Sequence, residues 1–178
     1  DTMVQLKNSH YSLEQLVHEN QELALEYLNG YFATIYLAPN NYHRVHMPLD
    51  GRLKNSELIP GKTFSVNQNS VIKIPNLYIK NQRLMNVFEG PISPFILILV
   101  AALNVSSITT SWQSRLSENE QPIAISRGEE MGRFNLGSTV LLLFPETSQL
   151  QWSNNIAVDG NLKMGEIIAE VPIPSGLV

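Results

Sequence analysis

Leu136-Gly137-Ser138-Thr139 stands at the mouth of an apolar run, Val140–Phe144, within the longer stretch Met131–Phe144. Glycine lacks the Cβ that closes much of backbone space, so a peptide bond next to it can be bent toward a neighbouring side chain. A serine hydroxyl presented against the carbonyl of Gly137 can attack it, moving the acyl group from nitrogen to oxygen and leaving an ester. Elimination from that ester, then hydrolysis, turns Ser138 into a pyruvoyl group that begins a new chain. The same letters also describe a Gly-Ser turn entering a buried strand, and a motif this short carries weight only in context.

A second group of chemically capable residues is Tyr42-His43-Arg44-Val45-His46-Met47-Pro48, with two histidines three apart. On a helix that spacing shares one face. Pro39 before and Pro48 after argue instead for a tight irregular segment. Three readings stand. A metal site needs further ligands at suitable spacing, and His10 and His18 are poorly placed to supply them. A structural role has the imidazoles satisfied by backbone groups. Acid–base work suits two histidines beside an arginine, because the imidazole pKa lies near neutrality.

The chain that must position these residues has 178 of them, enough for one compact domain with a buried core. Its 43% hydrophobic and 16% charged content is that of a folded globular protein. A net charge of −4 without a basic run gives no reason to propose nucleic acid as a partner. Cysteine is absent, which removes disulfides, thiolate catalysis and cysteine–metal sites together. The longest apolar run, Pro94–Val105, is shorter than the roughly 20 residues a spanning helix needs and has the look of a buried central strand. No signal-peptide pattern opens the sequence, which starts abruptly at Asp1-Thr2-Met3; a targeting or anchoring segment is expected upstream if there is one.

Along the chain, Val4–Lys7 reads as a short strand, and Ser12 with Gln15 forms a capping box. Leu13, Leu16, Val17, Leu23, Leu25 and Leu28 follow at helical spacing, with a break near Asn20 and Gly30 as the stop. His18 falls on the solvated side of that helix. After Gly30 the pattern is β: Tyr31–Leu37, Arg52–Ile59, Phe64–Val66, Val71–Ile74, Arg83–Phe88, Phe95–Val105, Ile108–Trp112, Ile123–Ser126, Phe134–Phe144, Ile156–Val158 and Ile167–Val171. Ser114–Gln121 is polar and has the character of a mobile loop. The expected class is α+β, mostly β: barrel- or sandwich-like antiparallel sheets with one principal N-terminal helix. Asp50-Gly51-Arg52-Leu53-Lys54 is echoed by Asp159-Gly160-Asn161-Leu162-Lys163, which suggests similar hairpins in two halves of a barrel.

Taken together, Tyr42–Pro48 and Glu130-Met131-Gly132-Arg133-Phe134-Asn135-Leu136-Gly137-Ser138-Thr139-Val140 resemble the phosphatidylserine decarboxylase family. His10-Tyr11-Ser12-Leu13, Pro60–Asn67 and Val105-Ser106-Ser107-Ile108 extend the likeness over nearly the whole chain, in order. The resemblance implies a single catalytic domain over 1–178, made as a proenzyme that cleaves itself between Gly137 and Ser138. A β chain, 1–137, and an α chain, 138–178, would result, with Ser138 as a covalent pyruvoyl group and no metal. It assigns His46 to self-cleavage, assisting deprotonation of Ser138, and leaves His43 for work on the substrate. The implied substrate is phosphatidylserine, whose amine condenses with the pyruvoyl carbonyl so that electrons are withdrawn as carbon dioxide leaves, giving phosphatidylethanolamine. A positioned acid, most plausibly a histidine, returns the proton. The resemblance further implies a peripheral place on a bacterial cytoplasmic or mitochondrial inner membrane and a homodimer.

Family members also use an aspartate in an Asp-Gly pair. Neither Asp1 nor Asp50 matches it by context, so that group is expected upstream, along with membrane-associating helices. Two other readings remain at this point: a pyruvoyl decarboxylase of a soluble amino acid, and a noncatalytic β-barrel interaction domain suggested by the repeat.

Overall fold

The computed structural model describes residues 2–6, 9–102, 108–114, 122–134 and 138–172. In chain order the elements begin with a hairpin, β1 (Thr2–Leu6) and β2 (Ser9–Ser12), and two short helices, α1 (Leu13–Leu16) and α2 (Gln21–Glu26). Strands β3 (Tyr31–Leu37), β4 (Arg44–His46) and β5 (Gly51–Ile59) follow, then α3 (Gln68–Lys73) and α4 (Leu77–Lys80). The remaining strands are β6 (Arg83–Glu89), β7 (Pro94–Val100), β8 (Thr109–Thr110), β9 (Ala124–Ile125), β10 (Glu130–Arg133), β11 (Ser138–Phe144), β12 (Gln151–Trp152) and β13 (Ala169–Glu170). The class is α+β and mostly β, built on a curled antiparallel half-barrel sheet.

That sheet runs β3-β11-β7-β6-β5-β9, and a smaller one runs β4-β10-β8. Strand alternation divides the core in two. Leu141 and Leu143 of β11, with Ile96, Ile98 and Val100 of β7, face one cluster, which α1, α3 and α4 close with Leu16, Val71, Leu77 and Tyr78. Val140, Leu142 and Phe144, with Phe95, Leu97 and Leu99, face the other, capped by Val45, Met47, Trp112, Met131 and Phe134 from in and around the smaller sheet. β11 is therefore covered on both faces and bounded on both edges, by β3 and β7. A strand so placed reads as a near-continuous apolar run, as Val140–Phe144 does.

Among the buried polar side chains, Arg83, Asn81 and Asn86 are satisfied by hydrogen bonds. Arg83, 2% exposed, donates to the carbonyls of Leu16 (3.0 Å), Gln15 (2.9 Å) and Ile79 (2.7 Å). It thereby fastens the C-terminal turn of α1, whose carbonyls lack helical partners, to the sheet. Asn81 accepts from the Phe64 amide and donates to the carbonyls of Phe64 and Ala101. Asn86 donates to Leu84 and Leu97 carbonyls and accepts from Ser56 Oγ.

Several expected elements come out differently. The helical stretch after Ser12 is two helices: His18 and Glu19 both take φ near 60°, and Asn20 caps the second by accepting from the Leu23 amide. Gly30 is not the left-handed stop; Asn29 is, at φ 56°. Gly30 is needed because a Cβ there would lie 2.1 Å from the carbonyl oxygen of Phe144, at the end of β11. Val71–Ile74, expected as a strand, is the end of α3, begun when Asn67 Oδ1 accepts from the Ser70 amide and ended before Pro75. Phe64–Val66 is held by Asn81 instead of a ladder. Ile156–Val158 forms no strand, and only Ala169–Glu170 of 167–171 pairs, with Gln151–Trp152. The echo at 159–163 is a turn segment, whereas its counterpart enters β5, so the likeness is one of turn residues and not of paired hairpins. The loop at 115–121 and Val105-Ser106-Ser107 lie outside the described residues.

Candidate active site

The two sequence constellations, some ninety residues apart, become adjacent strands. β10 pairs antiparallel with β4, setting Glu130 opposite His46 and Arg133 opposite Arg44. The Phe134 amide continues the pairing by donating to the His43 carbonyl at 3.0 Å. Gly132 permits the approach of β8 on the other side, since a Cβ there would lie 2.7 Å from the Thr109 carbonyl oxygen. Arg44–His46 is thus extended within the segment expected to be tight and irregular between Pro39 and Pro48; its ladder to β10 holds it straight.

An extended backbone sends alternate side chains to opposite faces. Val45 and Met47 point into the core between the two sheets, and His43 has the same parity. Both ring nitrogens of His43 are buried and meet no hydrogen-bond partner among the described residues. Ser138, the first residue of β11, shares the parity of Val140 and Leu142, so it faces that same layer. Its Oγ is likewise buried with no partner among the described residues. Buried polar atoms are usually paired, so each orphan calls for an explanation such as a reaction, a ligand or a bound water. Thr139 has the other parity and faces the helices, where it meets Tyr78, whose phenol burial pushes up to about 12.

Tyr42, Arg44 and His46 lie on the other face of β4. Arg44 forms an ion pair with Glu130, which lifts its guanidinium pKa through that hydrogen bond and charge. His46 Nδ1 is 2.7 Å from the Gly128 carbonyl oxygen, and its Nε2 is 2.8 Å from the Tyr42 hydroxyl. The two rings stack at 5.7 Å and 19°. Because a carbonyl only accepts, Nδ1 carries the hydrogen and Nε2 holds the lone pair of the neutral ring. Tyr42 has no role in the sequence reading above. Its parity with His46 would reveal it once the segment is taken as extended.

Of the other expected positions, Gly137 and its neighbours Asn135 and Leu136 lie outside the described residues. His18 is at the surface as expected, though in the break between α1 and α2 and not within a helix, with Nδ1 2.7 Å from Glu57 Oε1. Asp50 accepts from the Arg127 amide at 2.7 Å and shapes the turn before β10. Among the described residues no group of three or more histidines and carboxylates is arranged to hold a metal ion.

A sequence model for phosphatidylserine decarboxylase matches residues 1–170. The phosphatidylserine decarboxylase proenzyme of Coxiella burnetii is 42% identical over 97% of this chain and 64% of its own length. Those of Herminiimonas arsenicoxydans and Methylobacillus flagellatus are each 40% identical over 96% of this chain, and over 61% and 65% of their own lengths. The chain therefore spans somewhat under two thirds of the relatives it matches. With the match running through both motif strands and the central strand they adjoin, the chain belongs to the phosphatidylserine decarboxylase family.

Proposed function

We propose that this chain carries the catalytic domain of a self-processing, pyruvoyl-dependent decarboxylase that converts phosphatidylserine to phosphatidylethanolamine. The observation that carries the reading is the Ser138 hydroxyl, buried at the head of the central strand in a layer shared with the His43 imidazole, both without a hydrogen-bond partner among the described residues. The curated relatives are named proenzymes, which supports processing into two chains, 1–137 and 138–178.

In the proenzyme the Ser138 Oγ attacks the Gly137 carbonyl carbon. The C–N bond breaks, the nitrogen takes a proton, and an ester joins the two halves. Elimination of the Gly137 carboxylate and hydrolysis then release ammonia and leave a pyruvoyl group at position 138. His46 serves this stage as the proton acceptor, and its fixed tautomer supports the role because Nε2 is left basic. The residues around position 138 fit such a group: the strand is buried on both faces, so water is kept from it. When present, a pyruvoyl carbonyl supplies an electron sink for a substrate amine. His43, facing the same layer, holds the proton that replaces carbon dioxide on the substrate carbon.

The enzyme works at a membrane surface as a peripheral homodimer, on the bacterial cytoplasmic or mitochondrial inner membrane. No helix among the described residues is long and apolar enough to cross a bilayer. Parallel variants test the division of roles. Ser138→Ala gives one uncleaved, inactive chain; His46→Ala fails to mature; His43→Ala matures but turns over poorly. The reverse assignment of the two histidines refutes the scheme.

A further inference from the structure

Charge is unevenly spread along this chain. Its net charge is −4, yet no carboxylate occurs between Glu57 and Glu89, where Lys62, Lys73, Lys80 and Arg83 all fall. Arg83 is engaged inside the core by three carbonyls. The three lysines are exposed, and among the described residues none of them makes an ion pair. Phe64 and Ile72 stand exposed in the same stretch, at 37% and 48%. A single exposed apolar residue needs no explanation, but these belong to one feature. Gly61, Lys62, Phe64, Ile74 and Lys80 line an open groove of about 570 Å³.

The walls of the groove are fixed by the fold. The Lys62 amide donates to the Lys80 carbonyl (2.8 Å), and the Gln82 amide to the Lys62 carbonyl (2.7 Å). Asn81 holds both backbone groups of Phe64. Ile74 follows Ile72 and Lys73 at the end of α3. The groove also adjoins the end of the sheet where β11 begins. Thr139, next to Ser138, pairs with Val100, and Val100 pairs with Arg83, whose neighbour Gln82 bonds Lys62. Three strand spacings put the Lys62 backbone roughly 14 Å from that of Thr139.

Resting on the reading that the enzyme works at a membrane surface, we propose that this groove and its rim are the face that meets an anionic lipid bilayer. The three ammonium groups reach lipid phosphates, while Phe64 and Ile72 enter the boundary between headgroups and acyl chains. Charge complementarity selects this partner: phosphatidylserine is anionic, so the surface that supplies it has the sign opposite to that of the lysines. Decarboxylation turns an anionic headgroup into a zwitterionic one, so the face loosens from membrane already converted.

The test uses the full natural chain and vesicles of phosphatidylglycerol or phosphatidylcholine. A lysine near an anionic surface strengthens binding by about fivefold, so three together give on the order of a hundredfold. The parent should favour phosphatidylglycerol by at least about tenfold, and the triple variant Lys62→Gln/Lys73→Gln/Lys80→Gln should lose that preference. Brominated acyl chains should quench the added fluorescence of Ile72→Trp and leave that of Val158→Trp, at a fully solvated position elsewhere, unchanged. The triple variant should turn over monomeric short-chain phosphatidylserine at the parent rate and the vesicle-borne lipid more slowly. If the parent binds no vesicle, the membrane reading has failed and this face falls with it. If the parent binds but the triple variant keeps the preference, or Ile72→Trp is unquenched, this face alone is overturned. Equal loss of turnover on monomeric and vesicle-borne lipid overturns it too, since the groove would then hold the substrate itself.

Discussion

Replacing Arg83 by leucine removes a cation from one of the driest places in the molecule, and the geometry indicates what should follow. Its guanidinium makes three hydrogen bonds to carbonyls, two of them at the C-terminal turn of α1. Bonds to a charged group contribute about 1.5–3 kcal/mol each, giving roughly 4.5–9 kcal/mol in gross terms. Against this stands the cost of burying a cation without a carboxylate partner, several kcal/mol. Burial is also what lowers the Arg83 pKa, with the charge of Glu57 acting in the opposite sense. The difference leaves Arg83→Leu destabilised by about 2–4 kcal/mol. With an m-value of about 2 kcal/mol/M, the urea midpoint should fall by about 1–2 M. Unfolding is best followed in the Ser138→Ala background, where one covalent chain unfolds. Arg83→Lys should do no better than leucine, because one ammonium cannot reach carbonyls on two helices in the fork geometry of a guanidinium. A midpoint for Arg83→Leu within about 0.3 M of the parent would mean that the three bonds merely offset burial, and the anchoring argument would be refuted.

Gly132→Ala should cost about 1–3 kcal/mol and slow maturation, because the new methyl group meets the Thr109 carbonyl and must push β8 from β10. Thermal unfolding and a cleavage time course check both effects. Asn81→Leu orphans the Phe64 amide and the carbonyls of Phe64 and Ala101 and should lose about 2–4 kcal/mol, with hydrogen exchange rising first at Phe64. Tyr78 should stay un-ionised to about pH 12 in the folded protein. Its unfolded value is about 10, so the folded pKa is raised, and its contribution is fully present below pH 10 and lost as pH climbs toward 12. An ultraviolet titration of Tyr78→Phe against the parent should lose one late-ionising tyrosine.

Much of the β architecture was legible because burial leaves a mark on composition. Tyr31–Leu37 alternates, and Val140–Phe144 is apolar throughout, since one is an edge strand and the other a central one. What failed were segments whose conformation is set by a single side chain acting at a distance. Asn81 holds Phe64 without a ladder, and Asn67 turns a β-branched stretch into a helix. The site showed the same split. Ser138, His43 and His46, the proposed site residues, were singled out by residue type and motif. The contacts of Tyr42 and the Gly128 carbonyl with His46 were not, because they depend on β4 being extended, and the prolines at 39 and 48 pointed the other way. Pairing with β10, more than eighty residues on, decides that conformation.

The central claim is that the chain divides at Gly137–Ser138 and keeps a carbonyl where the serine was. The most direct measurement is the intact mass of the denatured natural protein, before and after borohydride reduction with phosphatidylserine present. Two chains are predicted, the smaller beginning at position 138, lighter by the loss of ammonia, and gaining the mass of a reduced lipid adduct. A single unbroken mass, unchanged by substrate and borohydride, would contradict the account.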